Sequence, residues 1–393
     1  MQMITVEEAI EFVESNSQTG INAVKMSLKN VQGFVLSEDV MSPIDMPPFR
    51  QSAMDGYAVR VHDSEYYHVQ GELQAGDGQD FTLLKGEAVR IFTGAPVPND
   101  ANAVVIQEKT IIKKQELQVH EEVLVQSNIR PKGEQIKQGE KALTKGTVLT
   151  PAGIGFLTTL GITEVSVYSK PSIGIIATGN ELAEAGTELK HGQIYESNSL
   201  MLQTALARSG YTDNEIFKVP DDFNSTRTLL EEVLKSKDVL IITGGISVGD
   251  YDFVGRALQE LKVTQLFYKV KQKPGKPLFF GKKNDTYVFA LPGNPAAALS
   301  CFYVYVQRCL KLLSGCLDAE PTTVSAVSLS EYRSKGDRAQ FLKAYVRNGE
   351  VKILEGQSSS MLHTFAVANA LLYMPETTKK IEIGDSVSLI LIP

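Results

Sequence analysis

The strongest constraint on the fold lies between residues 170 and 313, where continuous apolar runs alternate with amphipathic segments. Residues 172–178, 215–219, 238–243 and 287–291 are strand-like, and the stretches near 199–208, 224–234, 251–261 and 295–313 carry helical patterning. Strands without polar alternation are buried on both faces, as in a parallel sheet covered by helices. The region is therefore expected to form a doubly wound α/β domain.

In such sheets ligands bind outside the carboxyl ends of the strands. After the run ending at Thr243 comes Gly244-Gly245-Ile246-Ser247-Val248-Gly249-Asp250-Tyr251-Asp252. Glycines there let backbone N–H groups approach an anion, and the following helix adds its dipole. Asp250 and Asp252 would repel a phosphate unless a divalent cation or a ring N–H also sits there. Taken alone, the segment also reads as a tight turn with an acidic helix start. Next, Lys269, Lys271 and Lys273 alternate, so on a strand all three project from one face. Pro274-Gly275 then turns the chain and offers Lys276 to the same region. Solvation or an anionic ligand could relieve their repulsion, and the preceding glycine loop favours the ligand. Thr178-Gly179-Asn180-Glu181, Asp221-Asp222 and Leu291-Pro292-Gly293-Asn294-Pro295 occupy other strand ends.

Around this core the texture differs. Thr5 and Glu8 form a capping box for an N-terminal helix, and a proline-rich connection follows at 41–49. From 58 to 139 short strands (88–92, 103–106, 117–120 and 122–125) suggest an all-β module. Thr150-Pro151 starts another helix that ends before Gly161. Beyond Pro321 the signals are β only, with a hairpin over 341–354 turning at Asn348-Gly349 and a closing strand at 386–392. The expected parts are a discontinuous helical N-terminal domain (1–45 and 140–170), an inserted β-rich domain (46–139), the α/β domain (171–318) and a C-terminal domain (319–393). Phe49, Met54 and Tyr57 beside the Asp55-Gly56 turn read as ordinary core.

The formal charge of −7, from 39 basic and 46 acidic residues, argues against a wholly basic nucleic-acid surface. No apolar run reaches the ~18 residues of a membrane helix, and the N-terminus lacks signal-peptide features. Cys301, Cys309 and Cys316 are an odd set at helical spacing, which fits a reducing cytoplasm and no disulfide framework. The histidines, His191 and His363 among them, form no zinc-ligand pattern with these cysteines.

Seven segments occur in an order that resembles a known family: 52–59 (Ser-Ala-Met-Asp-Gly-Tyr-Ala-Val), 92–98 (Phe-Thr-Gly-Ala-Pro-Val-Pro), 177–182 (Ala-Thr-Gly-Asn-Glu-Leu), 192–198 (Gly-Gln-Ile-Tyr-Glu-Ser-Asn), 244–252, 273–277 (Lys-Pro-Gly-Lys-Pro) and 291–295 (Leu-Pro-Gly-Asn-Pro). It is that of the molybdopterin molybdenumtransferases, the MoeA family, related to the C-terminal domain of gephyrin. The resemblance implies a homodimer, a molybdopterin-binding α/β domain and a C-terminal small β-barrel. It implies insertion of molybdate into adenylated molybdopterin with release of AMP and a requirement for Mg²⁺, in a site shared between subunits. A molybdopterin adenylyltransferase and molybdoenzyme chaperones are implied as partners, with no nucleic acid and no membrane.

By the same resemblance Asp55, Thr93, Glu181 and Asp252 are catalytic. Gly244, Gly245, Ser247, Gly249, Asp221, Asp222, Lys269, Lys273, Lys276, Pro292, Asn294 and Pro295 bind substrate, and Glu181, Asp221, Asp250 and Asp252 supply the metal ligands. Two departures stand out. Arg50-Gln51 replaces an acidic or Asn pair, and Ser358-Ser359-Ser360 lacks the family's glycine. A non-catalytic molybdopterin carrier or scaffold of the same fold is the alternative, and pterin adenylation by a related single-domain transferase is a third reading.

Overall fold

A computed structural model describes residues 3–246, 253–334 and 336–392, so Ser247, Gly249, Asp250 and Asp252 lie outside the described residues. The chain divides into two compact units, one of Met1–Val24, Gly33–Ser37 and Val167–Pro393, the other of Lys25–Gln32 and Glu38–Ser166.

The first unit is built on a six-stranded sheet in the order Asn214–Val219, Ile173–Thr178, Val239–Thr243, Thr286–Leu291, Phe279–Lys283, Thr264–Tyr268. The first four strands are mutually parallel, as their apolar runs predict. Phe279–Lys283 pairs antiparallel with both its neighbours, Thr286–Leu291 and Thr264–Tyr268, so the sheet is mixed. Only Asn284 and Asp285 separate Phe279–Lys283 from Thr286–Leu291, with Asn284 at φ 52°. A link that short makes a hairpin and cannot make the crossover a parallel pair needs. Winding reverses between Ile173–Thr178 and Val239–Thr243, whose carboxyl ends therefore flank a crevice.

Both faces of the sheet are covered. On one side lie helices Asn198–Arg208 and Val6–Asn16, the latter carrying the capping box that Thr5 and Glu8 predict and burying Val6, Ala9 and Val13. On the other, helices Phe223–Ser236 and Phe253–Glu260 bury Leu230, Val233, Val254 and Leu258. The long helix expected over 295–313 is present but not uniform. Its middle, Phe302–Val306, is a π-helical turn between α-helical Pro295–Cys301 and Gln307–Leu313, and all five π residues are buried.

The C-terminal strands close on themselves in the order Ala339–Arg347, Glu350–Ile353, Thr323–Ser328, Ser386–Leu391, Ala370–Met374, with the last pairing back to the first. This is the small β-barrel, and its hairpin turns where expected, at Asn348 (φ 52°) and Gly349 (φ 79°). Phe341, Leu371 and Ile390 join the same apolar cluster as the sheet residues Ile175, Ile241 and Phe289. These residues join the barrel to the α/β layer, while the barrel interior, with Leu342, Ala344, Leu372 and Leu389, forms a cluster of its own.

The second unit holds a six-stranded sheet ordered Ala103–Ile106, Gly56–Val59, Glu87–Ile91, Tyr66–Leu73, Glu116–Val119, Thr110–Lys113. The strand expected at 122–125 does not form. Leu124 and Val125 are more than half exposed, and the chain continues through left-handed turns at Gln126 and Asn128. Helix Pro151–Thr159 starts from Thr150, whose hydroxyl accepts from the Gly153 N–H. No helix among the described residues is long and apolar enough to cross a membrane.

Candidate functional site

The crevice at the winding reversal is a cleft of about 420 Å³ lined by Thr178, Glu181, Asn198, Thr243, Gly244 and Gly245, with Pro277, Pro292 and Asn294 on its far side. Its floor depends on two glycines. Gly244 and Gly245 have φ of 88° and 61°, a region costly for other residues. A Cβ on Gly244 would lie 2.4 Å from the Thr178 carbonyl oxygen, and one on Gly245 would lie 2.7 Å from Val254. Asn198 ties two strand ends together. Its Nδ2 donates to Thr243 Oγ1 and to the Gly293 carbonyl, each at 2.7 Å. Among the described residues its buried Oδ1 has no donor, an acceptor suited to a ring N–H of a bound heterocycle.

The carboxylates around this cleft are not equivalent. Asp221 accepts from the Thr178 hydroxyl on Oδ1 and from the Asn180 N–H on Oδ2, while the Asn180 side chain accepts from the Asp221 N–H. Asp222 caps helix Phe223–Ser236, and hydrogen bonding from the Ser225 side chain, with a further bond from the Ser225 N–H, holds its carboxyl below the usual range. Glu196 accepts from both the N–H and the hydroxyl of Ser199. Glu181 is the exposed carboxylate that faces the cleft. Mg²⁺ commonly takes one or two carboxylates and completes its shell with water and substrate phosphates. Glu181 fits that donor set, with Asp221 adjacent but engaged. Among the described residues no cluster of three or more potential ligands exists.

Pro277, Pro292 and Asn294 also border a second cleft of about 530 Å³, lined by Lys273, Lys276, Arg338, Gln357, Ser358 and Ser359. The expected row of lysines on one strand face is not observed. Only Gln272–Lys273 is extended, Lys269 has φ 71°, and its ammonium sits 4.9 Å from the Tyr268 ring centroid. Lys271 pairs with Glu376 at 3.0 Å, which pushes its pKa up. Alternation fails because a left-handed residue breaks the pleat, and of these four lysines only Lys273 and Lys276 line the cleft.

A buried network supports them. Gln272 Nε2 donates to the Gly275 carbonyl at 3.0 Å, and Gln272 Oε1 accepts from the Tyr305 hydroxyl. Tyr305 comes from the π-helical turn. Gly275 (φ 88°) leaves no room for a Cβ, which would fall 2.6 Å from Cys301 Sγ. From the barrel side, Ser359 Oγ accepts from Asn294 Nδ2 at 3.0 Å, and the Ser359 carbonyl accepts from the Ala296 N–H. Pro295, at the first helical position, needs no such partner.

In the second unit, Asp55 Oδ1 accepts from both the N–H and the hydroxyl of Thr93, each at 2.8 Å. These bonds hold the exposed Asp55 carboxyl below its ordinary range, with a smaller contribution from Arg90. Arg50 Nη2 donates to the carbonyls of Pro98 and Ala101, so part of its guanidinium is engaged in holding its own unit together.

Three segments of the chain match described regions of one family: residues 4–161 the MoeA N-terminal region (domain I and II), 174–312 a probable molybdopterin binding domain, and 325–392 the MoeA C-terminal region (domain IV). A molybdopterin molybdenumtransferase of Staphylococcus aureus (strain Mu50) is 32% identical over 99% of this chain and 95% of its own length. The chain belongs to the MoeA family. A molybdopterin molybdenumtransferase of Staphylococcus epidermidis is 31% identical over the same shares. The crystal structure of the molybdopterin biosynthesis MoeA protein of Pyrococcus horikoshii superposes with a TM-score of 0.87 at 30% identity, covering both chains fully.

Within this MoeA-family chain, Glu181, Gly244, Gly245, Pro292 and Asn294 meet in the first cleft, and Lys273 and Lys276 meet in the second. Asp221 and Asp222 hold turns together, and Lys269 lines neither cleft. Arg338 and Gln357 line the second cleft with no motif to mark them, and Asn198 lines the first from the end of a segment (192–198) that carries the MoeA resemblance. For Ser358 and Ser359 the only signal was a departure from the family pattern, and the structure brings them to the cleft regardless.

Proposed function

We propose that this protein acts in molybdenum cofactor biosynthesis by inserting molybdate into adenylated molybdopterin with release of AMP. The observation that carries the reading is the pair of adjoining clefts sharing Pro277, Pro292 and Asn294. One presents Lys273, Lys276 and Arg338, matched to a small oxyanion. The other presents a glycine turn and Glu181, matched to a phosphorylated heterocycle.

In this reading Lys273, Lys276 and Arg338 neutralise molybdate and hold it beside the pterin, with Ser358 and Ser359 donating hydroxyl hydrogen bonds. Such preorganised charge lowers the barrier by positioning and electrostatics, with no covalent nucleophile. Gly244 and Gly245 let backbone approach the phosphate, and Asn198 Oδ1 receives a pterin N–H. Glu181 would hold Mg²⁺, which would supply polarisation of the scissile phosphoanhydride. Asp55, kept ionised by Thr93, is proposed to serve the same reaction. A homodimer and a cytoplasmic setting belong to the proposal, as do an adenylyltransferase supplying the substrate and chaperones receiving the product.

The test is AMP release from adenylated molybdopterin, with and without molybdate and Mg²⁺, in wild type and in Asp55→Asn and Lys273→Ala. Release that needs both ions and is lost in both variants supports insertion. Tight pterin binding without AMP release under any condition would favour a non-catalytic carrier.

A further inference from the structure

Lys343 sits in barrel strand Ala339–Arg347 and is 3% exposed. Its ammonium donates to three backbone carbonyls, those of Gly356 (2.7 Å), Ser358 (3.1 Å) and Met361 (3.0 Å). An ammonium has three protons, and each has a partner here. The Lys343 N–H donates to Gln357 Oε1, and Gln357 Nε2 donates back to the carbonyls of Lys343 and Leu354. Residues 354–361 are thus wound around one buried cation. This loop carries Gln357, Ser358 and Ser359 into the cleft of Lys273, Lys276 and Arg338. Its other side is held by Asn294 and Ala296 of the strand-to-helix turn.

We propose that Lys343 is a positioning residue for oxyanion recognition, setting Ser358 and Ser359 at the distance that a molybdate bound to Lys273, Lys276 and Arg338 requires. The inference rests on the molybdate reading of that cleft. Three carbonyls converging on one point repel each other unless a cation lies between them, and no apolar side chain can replace it. Burial lowers the Lys343 pKa, and the three acceptors favour the charged form that the loop needs. The serines are polar groups on an irregular segment, so their placement depends on this anchor.

The experiment compares Lys343→Met, Lys343→Gln, Lys343→Arg and Arg338→Ala by the molybdate dependence and the adenylated-molybdopterin dependence of AMP release, with amide exchange across 356–361. Lys343→Met is expected to raise the molybdate KM about tenfold or more and leave the pterin KM within about twofold. Exchange in the loop should accelerate, and Lys343→Arg should restore much of the molybdate affinity because it keeps the charge and several donors. If Lys343→Met does not fold, the milder Lys343→Gln carries the comparison. An unchanged molybdate KM in the folded variant, with a raised KM in Arg338→Ala, overturns the positioning role. An unchanged KM in Arg338→Ala as well removes the molybdate reading of the cleft, and the proposal with it.

Discussion

Thr93 donates both its N–H and its hydroxyl to a single oxygen, Oδ1, of Asp55, a residue 38 positions earlier in the chain. Two donors on one oxygen fix the carboxylate plane and favour its charged form. An asparagine at 55 can accept the same two bonds through its own Oδ1. Asp55→Asn should therefore still fold, with at most a small fall in melting temperature from the lost charge, yet lose AMP release by about tenfold or more. Loss of fold, or retention of full activity, would show that the charge serves structure alone.

The sign of the Asp55 shift gives a second expectation. Its folded-state pKa lies below the unfolded value, so the stability it contributes is present above the unfolded pKa and disappears as pH falls through the folded one. Thr93→Val removes the hydroxyl but keeps the N–H donor. The Asp55 carboxyl should then titrate at higher pH than in wild type, as followed by carboxyl-carbon NMR. No change, or a shift to lower pH, would contradict the assigned cause.

Gly244→Ala should be costly for two independent reasons. Its φ of 88° is unfavourable for alanine, and its Cβ would meet the Thr178 carbonyl oxygen at 2.4 Å, a backbone atom that cannot swing aside. Strain of this kind costs about 1–3 kcal/mol. Denaturant unfolding should register that loss, and pterin binding should weaken with it. Substitution at Gly293 makes a useful contrast, because its Cβ would meet nothing closer than 3.7 Å.

Removing the Tyr305 hydroxyl leaves Gln272 Oε1 without its donor in a fully buried setting. Unsatisfied buried acceptors cost about 1–3 kcal/mol. Tyr305→Phe should lose stability on that scale in denaturant titration. Because Gln272 also holds the Gly275 carbonyl, the same variant should raise the molybdate requirement modestly.

The cysteines should react unequally. Burial pushes the Cys301 and Cys309 thiols up to about 12, and both lie wholly inside the first unit's core. Neither forms appreciable thiolate near pH 8. Cys316 is only partly buried and less perturbed. Alkylation of the native protein, read by mass spectrometry, should label Cys316 first and the other two only on unfolding.

The four parallel strands, the barrel hairpin at Asn348-Gly349 and the capped helices were legible because each rests on local chemistry: apolar period, turn residues with positive φ, and capping donors. The clusters of glycine and carboxylate at the strand ends were legible for the same reason, since a parallel sheet directs its carboxyl edge toward ligands. The tertiary structure alone decided which members of those clusters meet. Lys269 and Lys271 fell away because a left-handed residue and a Glu376 partner redirected them. Asp221 and Asp222 were taken up by turns of their own. Arg338, from the bend before barrel strand Ala339–Arg347, and Ser359, from a barrel loop, entered through long-range packing that no local pattern records. Local propensity acts over a few residues, whereas a site is set by which strand ends and loops pack together, and that is a property of the assembled core.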